Sequence, residues 1–220
     1  MDTSQAKDAL KKVWHFIWED DSIWSWIVNI ILAFVIIKFI VYPGLGWIFG
    51  TPLPIVAVVS ESMEHTAGSN LLCGKRVIDY NNNIENYWQV CGDWYEQINI
   101  SKNEFESFPF KNGFNKGDLM ILFGAKPENI RQGDVIVYRA QRPDLKPDPI
   151  IHRVILKWSN NSEYYFQTKG DNNPAVINDT VIGEAEIGKD RILGRAVLRV
   201  PLLGYVKIIF VQIINMLKIW

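Results

Sequence analysis

Between residues 23 and 41 the chain reads IWSWIVNIILAFVIIKFIV, nearly free of polar positions. At about 1.5 Å rise per residue, roughly 20 apolar residues cross a hydrocarbon core about 30 Å thick, so this pattern predicts a membrane-spanning helix over 23–42. Asn29 and Lys38 interrupt it, and Lys38 lies near the far end, where its stem can snorkel to the headgroups. Trp24, Trp26 and Tyr42 suit the two interfaces, and Pro43 and Gly44 are expected to end the helix. The run is too long, begins too far in and lacks a small-residue cleavage site after it to read as a removable targeting segment. A second apolar stretch, LLGYVKIIFVQIINMLKIW, fills 202–220. It is interrupted by Lys207, Gln212 and Asn215. A second span, an interfacial helix, or a strand followed by a helix on the bilayer all fit it, and each puts this end at the membrane.

Between these ends the pattern changes period. Residues 43–54 read as a Gly/Pro linker, and IVAVV at 55–59 as a short buried strand. From 116 to 201 short apolar runs follow one another: DLMILFG, DVIVYRA, IIHRVILKW, EYYFQTKG and RILGRAVLRV. KPEN, RQGD, RPDLKPDP, SNNS and GDNNPAVIND punctuate them, so the region predicts a mainly antiparallel β domain. Residues 67–115 are rich in Asn, Gly, aromatics and charge without a sustained helical period, and read as an inserted lobe. In that lobe Trp88, Trp94 and Tyr95 look exposed and fit either a partner or a cleft cover.

Charge changes the picture in two ways. The formal net charge is −1 and no basic run supplies phosphate-neutralising charge, so nucleic acid is not an expected partner. Lys7, Lys11 and Lys12 precede the span, whereas the first basic residue after Lys38 is Lys75. The positive-inside rule therefore puts residues 1–22 in the cytoplasm and everything after Tyr42 outside. Cys73 and Cys91 both lie in the inserted lobe, where an oxidising compartment would allow a bridge worth about 3 kcal/mol. Asn99, Asn160 and Asn178 open N-glycosylation sequons.

The chemistry narrows by elimination. The cysteines stand apart from clustered histidines, so no metal set is expected, and neither a phosphate loop nor a dinucleotide fingerprint occurs, so no cofactor is expected. His15 lies before the span, which leaves His65 and His152 as bases on the outer side. An imidazole among apolar strand residues, as in PIIHRVI, is ordinarily a hydrogen-bonded core group. The stretch PIVAVVSESMEHT alters that reading, because a strand ends abruptly in two serines. Neutral imidazole, with a pKa near 6.5, can take a serine proton at ordinary pH, and a carboxylate behind the ring fixes its tautomer. Asp171 and Asp179 lie downstream in TKGDNNPAVINDT, where ordinary polar turns also favour aspartate.

SESMEHT, GDVIVY, IIHRV and TKGDNN, in this order after an N-terminal span, resemble the boxes of type I signal peptidases of the archaeal and endoplasmic-reticulum branch. The resemblance covers the span, roughly 50–66 and 117–205. It implies an antiparallel β catalytic domain with an inserted lobe at 67–115, anchored by the N-terminal helix. It implies Ser62 as nucleophile, Ser60 and the Ser62 backbone N–H as oxyanion donors, and His152 as general base. Asp171 matches the aspartate of the Gly-Asp-Asn box. Asp179 resembles the usual triad aspartate at a slightly longer spacing and is the favoured partner, with Asn178 then unglycosylated. Val58, Met63, Ile150 and Ile151 match positions near shallow apolar pockets for small residues. His65 stands where many relatives have proline and is the rival base.

The activity so implied is a membrane-bound serine endopeptidase removing signal peptides from secretory preproteins at the outer face of the cell membrane. Fewer than about 20 residues join Pro43 to Ser62, which keeps the site near the bilayer. The alternatives are a processing protease for one dedicated precursor and a non-catalytic scaffold among other membrane subunits.

Overall fold

A computed structural model of the chain describes residues 3–68 and 70–216. It divides into two compact units, Met1–Ile48 and Phe49–Trp220. The first unit is helical. Helix α1 spans Thr3–Trp18 and α2 spans Ile23–Ile36, with Ser22 as the α2 N-cap accepting from the Ser25 backbone N–H at 3.2 Å. Asn29 is explained here. Its side-chain amide donates to the Ile17 carbonyl at 2.9 Å, satisfying an orphan acceptor at the α1 C-terminus.

The apolar helix does not stop at Pro43. A π-turn over Ile37–Val41 leads into α3, Tyr42–Phe49, so helix continues from Ile23 to Phe49 over 27 residues. Proline removes one N–H and crowds the preceding turn, and a wide turn just before it absorbs both effects without ending the helix. At about 1.5 Å per residue this helix is long enough, and apolar enough, to cross a bilayer. The linker is correspondingly shorter than the expected 43–54 and begins at Gly50.

In the second unit the predicted strands form one antiparallel sheet. Strand β1 is Ile55–Ala57. The inserted lobe then contributes the small hairpin β2 (Leu71–Leu72) and β3 (Lys75–Arg76), followed by helices α4 (Ile84–Glu96) and α5 (Lys102–Ser107). Strands β4 (Leu119–Phe123), β5 (Val135–Tyr138), β6 (Ile150–Asn160), β7 (Glu163–Lys169) and β8 (Ile192–Val200) follow. The sheet order is β1-β4-β8-β5-β6-β7. Register shifts at Ile121/Leu122, Val137/Tyr138 and Val154/Leu156 bend it into a half-barrel, as bulges do. Strand β5 is buried on both faces: Val135 and Val137 pack with Met63 and Phe114, Ile136 and Tyr138 with Val154 and Phe166. The C-terminal end forms α6, Tyr205–Met216, whose 12 described residues are too short to span a membrane. Residues 217–220 of the expected membrane segment lie outside the described residues.

The inserted lobe is more regular than its composition implies. Asn83 caps α4 by accepting from Asn86, and the helix turns Tyr87, Trp88, Cys91 and Tyr95 inward. Trp88 is 9% exposed and Tyr95 fully buried, which corrects the reading of both as surface aromatics. They form a core with Phe105, Phe108 and Ile155 of β6, so the lobe is packed on the sheet. Cys73 and Cys91 are bridged, with 5.7 Å between Cα atoms, and tie the β2–β3 hairpin to α4. The bridge closes a span of 18 residues. Replacing both cysteines by alanine is expected to lower the unfolding free energy by about 3 kcal/mol, read by denaturant titration.

Candidate active site

Strand β1 is too short to carry its pairing to the nucleophile box, but the chain keeps the register for one more residue. The Val58 N–H donates to Asp118 at 2.8 Å and its carbonyl accepts from Gly117 at 2.9 Å. The backbone then turns outward. Ser60 is exposed and Ser62 half-buried, with their hydroxyl oxygens 3.1 Å apart. Met63 turns back into the core and its carbonyl accepts from Phe114 at 3.0 Å. A buried residue on either side of the turn thus pins a pair of serines at the surface.

His152 comes from the middle of β6, opposite Ile136 of β5, and is 4% exposed. Its Nε2 lies 2.9 Å from Ser62 Oγ, and its Nδ1 is hydrogen-bonded to Glu184 Oε1. An ionised carboxylate only accepts, so Nδ1 carries the proton and Nε2 presents its lone pair to the serine hydroxyl. Glu184 is fully buried. Its other oxygen accepts from the Ile177 N–H at 2.5 Å, and its own carbonyl accepts from Thr168 of β7 at 3.1 Å. The imidazole is therefore held from behind by a carboxylate that is itself held by two segments.

Glu184 takes the position expected of an aspartate, and this is the main correction to the sequence reading. Asp179 is exposed, and its Oδ1 accepts from the N–H groups of Val181 and Ile182 at 3.0 and 2.6 Å. It shapes the turn that delivers Glu184 five residues later and does not itself reach His152. The available signal was the run VIGEAEI, in which Glu184 and Glu186 are the polar side chains and Glu184 directly follows Gly183.

Asp171 also has a different environment from the one expected. Strand alternation sends Arg153 to the face opposite its neighbour His152. Arg153 Nε and Nη2 grip the two Asp171 oxygens at 2.8 and 2.6 Å. Its other N–H groups reach the carbonyls of Pro109, Gly133 and Phe110 at 2.7, 2.9 and 3.0 Å, so all five donors are used. Tyr95 donates to Asp171 Oδ1 at 3.2 Å, and Tyr87 to its carbonyl at 2.9 Å. Burial alone would raise the Asp171 carboxyl, but the Arg153 guanidinium and the His65 bond hold it well below the usual carboxylate range.

His65, the rival base, belongs to this second cluster. Its Nε2 donates to Asp171 Oδ2 at 2.9 Å and its ring stacks on Tyr87 with centroids 3.7 Å apart. Burial pushes the His65 ring down, against the pull of Asp171. The two clusters meet at the turn after β7. The Asn172 N–H donates to the Ser62 carbonyl at 2.8 Å and its side-chain amide to the Glu61 carbonyl at 3.2 Å. At Gly170 a Cβ would lie 2.8 Å from both His152 Nε2 and the Ser62 carbonyl oxygen.

The four expected pocket residues are mostly interior. Val58 and Met63 are 1% exposed and Ile150 and Ile151 7%; Val58, Met63 and Ile151 belong to one core cluster and Ile150 to another. Among the described residues no group of three or more His, Cys, Asp or Glu is gathered as a metal ion would need.

No family model matches the chain. It is similar to the signal peptidase complex catalytic subunits of Sclerotinia sclerotiorum, at 34% identity over 100 residues, and of Homo sapiens, at 35% over 100 residues. A third, from Metarhizium acridum, is 33% identical over 98 residues. Each match covers 44% of this chain and 50–55% of the relative, so the chain spans about half the length of the curated relatives it matches.

Two outcomes follow from this geometry. Alanine at Gly170 is expected to displace the imidazole and slow labelling of Ser62 by a fluorophosphonate about 100-fold, the usual cost of a misplacement near 1 Å. The His65 ring has a folded pKa below its ordinary value of about 6.5, so the unfolded chain binds the extra proton between the two. Its contribution to stability is full above about pH 6.5 and is lost as the pH falls through the folded value. Denaturant titrations at pH 7 and pH 5 are expected to show a larger stability loss in the wild type than in His65→Gln.

Proposed function

We propose that this chain is a membrane-anchored serine endopeptidase that removes signal peptides from secretory preproteins, cutting after small residues. The observation that carries the reading is the hydrogen-bonded series Ser62–His152–Glu184, at 2.9 Å between serine and imidazole. The likeness to signal peptidase catalytic subunits supplies the substrate class. Because those relatives are named as subunits of a complex, we extend the proposal to other membrane subunits as partners.

In this mechanism Ser62 Oγ attacks the scissile carbonyl carbon while His152 Nε2 takes its proton. The buried Glu184 carboxylate stabilises the imidazolium and keeps its proton on Nδ1. The Ser60 hydroxyl and the Ser62 N–H receive the oxyanion, donors of a kind typically worth about 3–4 kcal/mol at the transition state. The imidazolium gives its proton to the leaving amine nitrogen, the C–N bond breaks, and an acyl-serine remains. Water attacks that ester by the same route and regenerates Ser62. Among the described residues β1 lies at one end of the sheet beside β4, and the chain leads from it directly to Ser62. The shallow surface over Val58, Met63, Ile150 and Ile151 suits small side chains.

The Ile23–Phe49 helix would anchor the enzyme, with residues 1–22 cytoplasmic and the catalytic unit on the outer side. Detergent-solubilised protein incubated with a signal-bearing precursor is expected to yield a new N-terminus after a small residue, and Ser62→Ala to yield none. Glu184→Gln is expected to lower kcat about 10⁴-fold, as when the orienting carboxylate of a triad is neutralised, whereas Asp179→Asn stays within a few-fold of wild type. A large loss in Asp179→Asn together with a mild one in Glu184→Gln would sink the assignment.

A further inference from the structure

Lys169 ends β7 and is 1% exposed. Lysine is almost never buried so completely without partners. It also sits across the strand pair from Arg153, an arrangement that like charges disfavour. What it does there can be read from its contacts. Its Nζ donates to two successive carbonyls, Gly170 at 3.0 Å and Asp171 at 3.2 Å. The inserted lobe closes over it, with the ring centroids of Trp94 and Tyr95 at 4.9 and 5.0 Å from Nζ.

Those carbonyls belong to the turn that joins the two clusters. Gly170 backs directly onto His152 Nε2, and Asn172 holds the carbonyls of Ser62 and Glu61. Two carbonyl dipoles converging on one point repel each other, and a cation between them offsets the repulsion. We infer that Lys169 is a positioning residue, whose ammonium pins the Gly170–Asn172 turn and through it the nucleophile and the base. The aromatic wall of the inserted lobe flanks that ammonium. This rests on the protease reading of Ser62 and His152.

The groups around the ammonium set its titration. Burial pushes it down to about 8, against the attraction of Asp171 and Glu184 and with the repulsion of Arg153. Tyr95 and Trp94 face it from α4, and Lys75 and Asp93 line the same 280 Å³ cavity beside the disulfide. The cation is present below about pH 8 and lost above it. Positioning is thus complete at neutral pH and fades on the alkaline side, where a neutral imidazole alone would leave activity flat.

The test is the pH dependence of kcat and KM for precursor cleavage between about pH 6 and 10. It compares wild type, Lys169→Met and Lys169→Arg, with Ser62→Ala as blank. Wild-type kcat is expected to fall above about pH 8 with KM little changed. Lys169→Met is expected to lose about 100-fold in kcat at pH 7 and to lose the alkaline limb. The permanent charge in Lys169→Arg is expected to restore part of kcat and to hold it at high pH. A wild-type kcat that stays flat to pH 9.5 overturns the inference without any variant. So does a folded Lys169→Met that keeps either wild-type kcat or the alkaline limb. If neither variant folds, the wild-type limb decides. A wild type that cleaves nothing above the blank at any pH overturns the protease reading and this inference with it.

Discussion

The buried pair of Arg153 and Asp171 is the constraint on which the rest of the second unit depends. Both side chains are fully buried, and removing two charges from water costs several kcal/mol each unless geometry and further hydrogen bonds repay it. Here the repayment is complete on the cation: five donors meet five acceptors from three separate stretches of chain. The carboxylate accepts also from Tyr95 and His65. Breaking such a pair typically costs about 3–5 kcal/mol because a lone buried charge is left behind. No local element could hold this arrangement. It exists only when β6, the turn after β7, the end of the inserted lobe and α4 are all in place.

This pair explains how a half-buried serine and a strand histidine from distant parts of the chain stay within one hydrogen bond. His152 and Arg153 are adjacent on β6 and face opposite ways. One reaches the reactive side, the other locks the turn that begins at Gly170. Asn172 of that turn then clasps the backbone of Ser62 and Glu61, while the Cys73 N–H clasps Asn172 at 3.0 Å. The inserted lobe is part of this support. Its tyrosines, its disulfide and its aromatic wall all bear on residues 169–172, so a stretch that reads as an appendage stabilises the scaffold of the site.

The carboxylate partner of the imidazole follows a different logic. Asp179 ties the turn with two backbone N–H groups, Gly183 takes a left-handed conformation, and the chain emerges with Glu184 beside β7. An aspartate at 179 is thus structural in the loop, and the longer glutamate supplies the acceptor. Spacing along the sequence points to the loop that carries the acid. The path of the loop selects which acid faces the ring.

Several features were legible in the sequence because they depend on short-range periodicity. The β strands from 118 onward, the apolar helix from Ile23 and the turn to two serines after an apolar strand each follow from which neighbours are apolar. The His152 strand was legible for the same reason, and its likeness to a known motif pointed to Ser62 as its partner. Other features depended on the assembled tertiary structure. The helix runs past Pro43 because a π-turn absorbs the missing bond, and α4 forms because its aromatic face finds Ile155 of the sheet. Asp171 joins Arg153 because alternation on β6 turns the guanidinium away from the reactive side. Glu184 reaches His152 because two turns and two hydrogen bonds steer it there. Local pattern sets which face a side chain takes, whereas the pairing of buried charges is decided by which distant groups can satisfy them once water is gone.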